Sequence, residues 1–250
     1  MSFTKREALA VITSRMLRDG ISIFVGIGIS QLATELAKRL GKKNINIIYE
    51  GGTIDPVLKP PYIPYSTNDI RVGFRALMYP TCLESFTFMQ RGLVDLALLG
   101  AAQVDRYGNV NSSLIRTEKG NLYLPGSGGA NDLASLARET MIITALEKRR
   151  FVERVDFITS PGHLRGGESR KKEGLVGNGP SKVITDLAIF SFENGEMKVD
   201  GILHGCTIEE VLGNMSFHPK ISKEIYEIPE PTEEELTILR SLDPNRVFLG

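Results

Sequence analysis

Between Ile21 and Tyr49 the chain reads strand, glycine turn, helix, strand, and that order leaves few folds open to it. The run ISIFV is followed by Gly26-Ile27-Gly28, then by a helical stretch capped by Ser30 and ending at Gly41, then by INIIY. Two short apolar strands joined by a crossover helix predict a βαβ unit and a parallel sheet. Further runs continue it: Leu93 to Leu99, broken only by Asp95 and otherwise of the kind buried on both sheet faces, then two more apolar strands, ETMIITAL and VDFITS. Nearer the end, SKVITDLAIFSF and EMKVDGILHG read as an antiparallel pair joined at Glu193-Asn194-Gly195. The expectation is an α/β fold, a mostly parallel open sheet flanked by helices with a smaller antiparallel addition near the C-terminus, in a single domain over 1–250.

The flanking helices carry their own signals. Thr4 caps a helix whose apolar positions are Leu9, Ile12, Met16 and Leu17, with Ser14, Arg15 and Arg18 on the opposite side and Gly20 as its stop. LESFTFMQRG and NDLASLA read as two more, and Thr232 caps the last one in PTEEELTILRSL. Residues 51–73 contain Pro56, Pro60, Pro61 and Pro64, which predicts an extended, stiff loop of a length usually kept for function. Residues 161–181 form a glycine-rich, basic loop expected to be mobile.

Composition excludes several classes of partner. The 250 residues carry 30 basic and 30 acidic side chains, so no net field draws the chain to nucleic acid or an anionic membrane, and a shaped pocket is the expected mode of recognition. Cys82 and Cys206 lie far apart without ligand-type spacing, against a disulfide framework or a metal site. The N-terminal segment is amphipathic and has no uninterrupted apolar core, so it reads as neither signal peptide nor membrane span. A cytoplasmic protein is expected.

Chemistry is concentrated at strand ends. Glu50 stands where INIIY runs out into Gly51 and Gly52, glycines that let the backbone turn sharply and another molecule approach closely. A carboxylate at the C-terminal end of a parallel strand faces the crevice where such sheets bind ligands, and there it can serve as nucleophile or base; a solvated loop acid is the plainer reading. Gly26 and Gly28 sit where a helix N-terminus can hold an anion, but Gln31 occupies the third glycine position of a dinucleotide fingerprint. The cluster Gly126 to Asp132 opens a helix with adjacent glycines, whose N–H groups can stabilise an oxyanion or simply form the helix entry. Gln103, Asp105, Tyr107 and Asn109 follow a buried strand, where they either bind substrate or satisfy one another in a polar turn. His163, His204 and His218 assemble no triad and read as structural or surface residues.

Taken in order, these segments resemble the class I coenzyme A transferases, specifically the β subunit or C-terminal half. Gly26-Ile27-Gly28-Ile29 resembles the family's early glycine turn, and Glu50-Gly51-Gly52 takes the place of its Glu-Asn-Gly or Glu-x-Gly motif. ESFTFMQRGLVDLALLGAAQVDRYGNVN resembles its central block, Gly128-Gly129-Ala130-Asn131-Asp132 its Gly-Gly-Ala-Met-Asp segment, and LRSLDPNRVFLG its ending. Gly51 departs from the asparagine of the 3-oxoacid branch, and the proline-rich loop is more similar to the glutaconate branch.

The resemblance implies a CoA-transferase that works by ping-pong exchange with Glu50 as nucleophile, Gly128 and Gly129 as backbone oxyanion donors, and Gly26, Gly28, Gly51, Gly52, Gln103 and Ala130 as substrate- and CoA-binding positions. It implies coenzyme A as a substrate, no permanently bound cofactor or metal, acyl-CoA and carboxylic acid partners, and an α subunit of the same fold completing the site. The same superfamily includes hydrolases that open carbon–carbon bonds in CoA-linked steroid fragments, and those lack the glutamate of the β chain; a non-catalytic CoA-binding subunit is the third reading.

Overall fold

The computed structural model describes residues 2–61 and 63–250. The chain packs as two compact units, one formed by Met1–Leu98 with Glu230–Gly250 and the other by Leu99–Pro229.

In the first unit, α1 (Lys5–Met16) starts at a capping box in which the Thr4 hydroxyl accepts from Glu7 N and the Glu7 carboxylate accepts from Thr4 N. The helix is buried from Glu7 through Ser14; Ser14, expected on the outer side, turns its hydroxyl onto the Val11 carbonyl at 2.8 Å. β1 (Ser22–Phe24), α2 (Ile29–Arg39) and β2 (Asn46–Ile48) form the anticipated βαβ unit, with β1 and β2 parallel and in register from Ser22↔Asn46. Gly28, not Ser30, is the N-cap of α2, at φ 96°; Ser30 lies inside the helix. The sharp turn out of β1 needs a left-handed backbone, which glycine adopts without a Cβ penalty, and that requirement overrides the preference for a hydroxyl cap. After the proline-rich loop come α3 (Cys82–Gln90), again opened by a capping box from Thr81 to Glu84, and β3 (Leu96–Gly100), which pairs parallel to β1.

The C-terminal helix, Glu233–Leu242, is capped by Thr232 as expected and is fastened to α1 at both ends. Arg15 holds Glu235 with two donors at 2.7 and 2.6 Å, and Arg240 Nε lies 2.7 Å from the fully buried Glu7 carboxylate. The Arg240 hydrogen bond holds the Glu7 carboxyl below its ordinary value against the opposing effect of burial. Asp243 then accepts the N–H groups of Val247, Phe248 and Leu249, which folds the tail back.

In the second unit, the polar stretch after β3 contains a hairpin, β4 (Gln103–Val104) with β5 (Val110–Asn111), followed by an exposed hairpin of β6 (Leu114–Thr117) and β7 (Gly120–Tyr123). α4 (Ala130–Leu136), β8 (Glu139–Ile143), α5 (Ser169–Lys172) and β9 (Pro180–Ile184) follow, with β8 and β9 parallel. β10 (Ala188–Glu193) and β11 (Glu196–Leu203) are the predicted antiparallel pair, with Asn194 and Gly195 at positive φ in the turn. α6 (Ile208–Gly213) leads to β12 (Lys220–Ile228), parallel to β11. The core beneath this sheet includes Val104, Ile142, Phe151, Phe190 and Val199.

Two apolar runs behave differently from expectation. SKVITDLAIFSF breaks into β9 and β10, antiparallel to each other, because the Thr185 hydroxyl accepts from Ala188 N at 2.8 Å and the Asp186 carboxylate takes the Leu146 N–H at 2.7 Å. VDFITS forms no strand beyond a single bridge at Ser160, and its Phe157 and Ile158 are exposed. Asp156 instead accepts from Gln103 Nε2 and Arg116 N, which makes the run a connector.

Candidate active site

β2 delivers the chain into a turn that places Glu50 at its tip. Tyr49, wholly buried, is the last anchored residue: its N–H donates to Thr53 O and its carbonyl accepts from Gly52 N, both at 2.9 Å. That second bond closes a β-turn over Tyr49 to Gly52 with Glu50 and Gly51 in the two central positions. The Tyr49 hydroxyl is held from α2 by Gln31 Nε2 at 3.0 Å. From the other side the buried Ser85 of α3 directs its hydroxyl to the Glu50 carbonyl at 3.2 Å and to Cys82 O at 2.8 Å.

Both glycines are fixed by close neighbours. A Cβ on Gly52 would sit 2.0 Å from the Pro80 carbonyl oxygen, and the residue has φ 105°. A Cβ on Gly51 would meet Thr67 O at 2.6 Å and Asn68 Oδ1 at 2.4 Å. The backbone approach expected from the sequence is therefore made here by the protein's own loops.

The Glu50 carboxylate itself is half-buried and makes no hydrogen bond or ion pair among the described residues. This separates it from its neighbours, since Asp55 pairs with Lys38 and Asp69 with Arg71. Arg71 holds the Asp69 carboxyl well below the usual carboxylate range. A cavity of about 280 Å³ opens beside the turn, lined by Gly51, Thr53, Asn68 and Tyr79 among others.

Beneath the turn, on α2, lies an acid with no motif around it in the sequence. Glu35 is 8% exposed, and burial pushes its carboxyl up to about 7 against the nearby cations Lys38 and Arg39. Burial, with the Glu35 charge second, also raises the Tyr49 phenol. Neither Ser85 nor Gln31 carries a sequence signal for its role, since each acts through a contact made only in the fold.

The remaining candidates fall out as follows. Gly26 and Gly28 occupy the turn between β1 and α2, and a Cβ on Gly28 would lie 3.7 Å from Phe248. Gln103 is 5% exposed and its amide is engaged by Asn111 and Asp156. Asp105 and Asn109 likewise bond each other, with Asn109 Oδ1 accepting from Gly162 N and Leu164 N, so the polar turn satisfies itself. In the second unit Gly128, at φ 48°, and Gly129, the N-cap of α4, donate their N–H groups to no described residue. Ala130 N is taken by Ser127 O at 3.0 Å. His163 packs on Phe192 and bonds the Pro180 carbonyl, and His204 pairs with Glu227. Among the described residues no cluster of three or more His, Cys, Asp or Glu side chains forms a metal site, and no helix is long and apolar enough to cross a membrane.

Known proteins share this architecture. The family model for coenzyme A transferase matches residues 6–214. The chain is 38% identical over 246 residues to the β subunit of 3-oxoadipate CoA-transferase from Pseudomonas knackmussii, covering 97% of this chain and 94% of that one. It is 32% identical to the β subunit of glutaconate CoA-transferase from Acidaminococcus fermentans, covering 99% and 96%. The crystal structure of glutaconate coenzyme A-transferase from the latter organism superimposes with a TM-score of 0.90 at 30% identity, over 100% of this chain and 98% of that one. The chain thus belongs to the coenzyme A transferase family, among its β subunits, as the motif order implied.

Proposed function

We propose that the chain is the β subunit of an acyl-CoA:carboxylate CoA-transferase in which Glu50 is the covalent nucleophile. The observation that carries this reading is the state of Glu50: fixed by its backbone at the end of a parallel strand, with a carboxylate that makes no hydrogen bond or ion pair among the described residues. A carboxylate kept for chemistry must have its oxygens available, and the turn that holds this one uses only its backbone.

In the proposed cycle a Glu50 oxygen attacks the acyl-CoA carbonyl, the carbon–sulfur bond breaks, and CoA leaves as thiolate, giving an acyl–glutamyl anhydride. The thiolate then attacks the glutamyl carbonyl and releases the first acid, leaving CoA on Glu50 as a thioester. A second carboxylate reverses both steps and carries CoA away. Each bond made matches one broken, so no water or redox partner enters. The N–H groups of Gly128 and Gly129, bonded to no described residue, are the proposed donors to the tetrahedral oxyanion, where loss of one donor typically costs about 2.7–4 kcal/mol. Coenzyme A enters as substrate, and its remote body supplies binding energy used at the thioester. An α-type subunit is the proposed partner, in keeping with the subunit naming of the relatives.

The test is mass spectrometry of the assembled enzyme incubated with acyl-CoA alone. A CoA adduct on the peptide containing Glu50, absent in Glu50→Gln, is expected. An unmodified peptide during demonstrated exchange would overturn the assignment.

A further inference from the structure

We propose that Ser112 is a positioning residue for the oxyanion donors: its hydroxyl holds the carbonyl of Gly126 and so sets the direction in which the Gly128 and Gly129 N–H groups point. This rests on those two glycines serving as donors, and it names what keeps them aimed.

The segment Pro125-Gly126-Ser127-Gly128-Gly129 has little stiffness of its own. Gly126 and Gly128 stand at φ 96° and 48°, and three glycines in five residues leave the backbone a wide choice of paths. Donors contribute to catalysis when they are fixed before the oxyanion forms. The segment must therefore be held from outside.

It is held at both ends. On the far side Ser127 O accepts from Ala130 N and Ser127 Oγ from Asn131 N, both at 3.0 Å, which seats the start of α4. On the near side the chain runs as a short ladder against Ser112 and Ser113, with Leu124 N donating to Ser113 O at 2.8 Å and Gly126 N to Ser112 O at 2.9 Å. The Ser112 hydroxyl then donates to Gly126 O, also at 2.9 Å, so one serine grips both sides of that glycine. The Gly126 carbonyl shares its peptide plane with Ser127 N. Holding that oxygen fixes the plane from which the chain enters Ser127, Gly128 and Gly129.

Ser112 is itself anchored in a polar relay that runs into the interior. Its N–H donates to Thr159 Oγ1 at 2.9 Å, and the Thr159 hydroxyl lies 2.8 Å from Ser113 Oγ and 3.4 Å from Asn111 Oδ1. Asn111, wholly buried, accepts from Ser113 N at 3.0 Å and donates to Gln103 Oε1 at 2.7 Å. A buried network of this kind stiffens what it holds when its members are satisfied. Gln103 closes the rear of this relay.

The experiment uses the chain assembled with its partner subunit and compares Ser112→Ala, Ser112→Thr, Gly129→Pro and the double variant Ser112→Ala/Gly129→Pro. Gly129→Pro removes one donor at φ −79°, a value proline adopts, and should lower kcat by about 100- to 1,000-fold. Ser112→Ala should lower kcat by about 10- to 100-fold with KM for acyl-CoA little changed, and should unfold within about 2–4 °C of wild type. Ser112→Thr, which keeps the hydroxyl, should recover most of the rate. In the Gly129→Pro background Ser112→Ala should cost several-fold less than it does alone, because one of the two donors it aims is already gone. Full additivity of the two changes, or wild-type kcat in Ser112→Ala, would overturn the positioning role. Wild-type kcat in Gly129→Pro would instead remove the oxyanion reading on which that role rests. Where Gly129→Pro does not assemble, the contrast between the two Ser112 variants decides, and equal kcat in both overturns the role.

Discussion

The hydroxyl of Ser85 reaches across from α3 to the backbone carbonyl of Glu50 at 3.2 Å, so the proposed nucleophile is held by its main chain from a second element. Together with the Tyr49–Gly52 bond this fixes the turn while leaving the carboxylate untouched. Ser85→Ala should therefore cost only about 1 kcal/mol of stability, the net worth of an ordinary hydrogen bond. Turnover should suffer more: between about 10- and 100-fold in kcat, with KM for acyl-CoA little changed, because misplacement of a reacting group acts on the chemical step. Stopped-flow formation of the Glu50 adduct would show it directly. An unchanged adduct rate would remove Ser85 from the positioning of Glu50.

Gly52 tests the same turn from below. At φ 105°, with a would-be Cβ 2.0 Å from Pro80 O, Gly52→Ala forces the turn away from the start of α3. The left-handed strain alone costs about 1–2 kcal/mol, and the backbone clash adds to it. Thermal unfolding should fall by several degrees and CoA exchange should be lost even where the variant stays folded. A variant with normal exchange would show that the turn relaxes without moving Glu50.

How far the sequence exposes this arrangement depends on the range of the interactions involved. The caps at Thr4 and Thr232, the Asn194-Gly195 turn and the strand running into Glu50 are local patterns, and each is found where the pattern puts it. Ser85 and Gln31 act on the Glu50 turn from elements 35 and 18 residues away, through contacts that no spacing rule encodes. Ser30 has the residue type of a cap, but the turn geometry at Gly28 decides otherwise. VDFITS carries the composition of a strand without the burial, and apolar content alone does not distinguish a core run from a connector such as this.

Glu35 makes stability depend on pH in an uncommon direction. Its carboxyl is raised by burial from 4.5 to about 7, so the folded state binds a proton more tightly than the unfolded chain. That contribution is fully present below about pH 4.5, is lost as pH rises towards 7, and is then absent at higher pH. Linkage puts the total on the order of 3 kcal/mol. Glu35→Gln, neutral throughout, should be close to wild type at pH 4.5 and more stable than it at pH 8. Urea unfolding midpoints at the two values decide it; parallel pH dependences for the two proteins would mean that Glu35 titrates normally.

Arg170 gives the last prediction, and it concerns residues 161–181, the glycine-rich loop expected to be mobile. The side chain is 5% exposed and donates from Nε to Gly177 O at 2.6 Å, from Nη1 to Pro161 O and Gly162 O at 3.1 and 2.9 Å, and from Nη2 to Ala134 O of α4. One guanidinium thus ties both ends of the loop to α4, the helix whose N-cap is Gly129. Burial lowers it to about 10, which leaves it charged at neutral pH. Arg170→Met keeps much of the apolar stem but removes every donor, so four carbonyls lose their partner; an unsatisfied buried group costs about 1–3 kcal/mol before relaxation. The loop should respond by opening locally, with faster trypsin cleavage at Arg165, Lys171 and Lys172 and lower hydrogen-exchange protection across 161–181. Arg170→Lys retains the charge without the fork, so it should fall between the two. Wild-type cleavage kinetics in Arg170→Met would show that the glycine-rich backbone holds its course without the guanidinium.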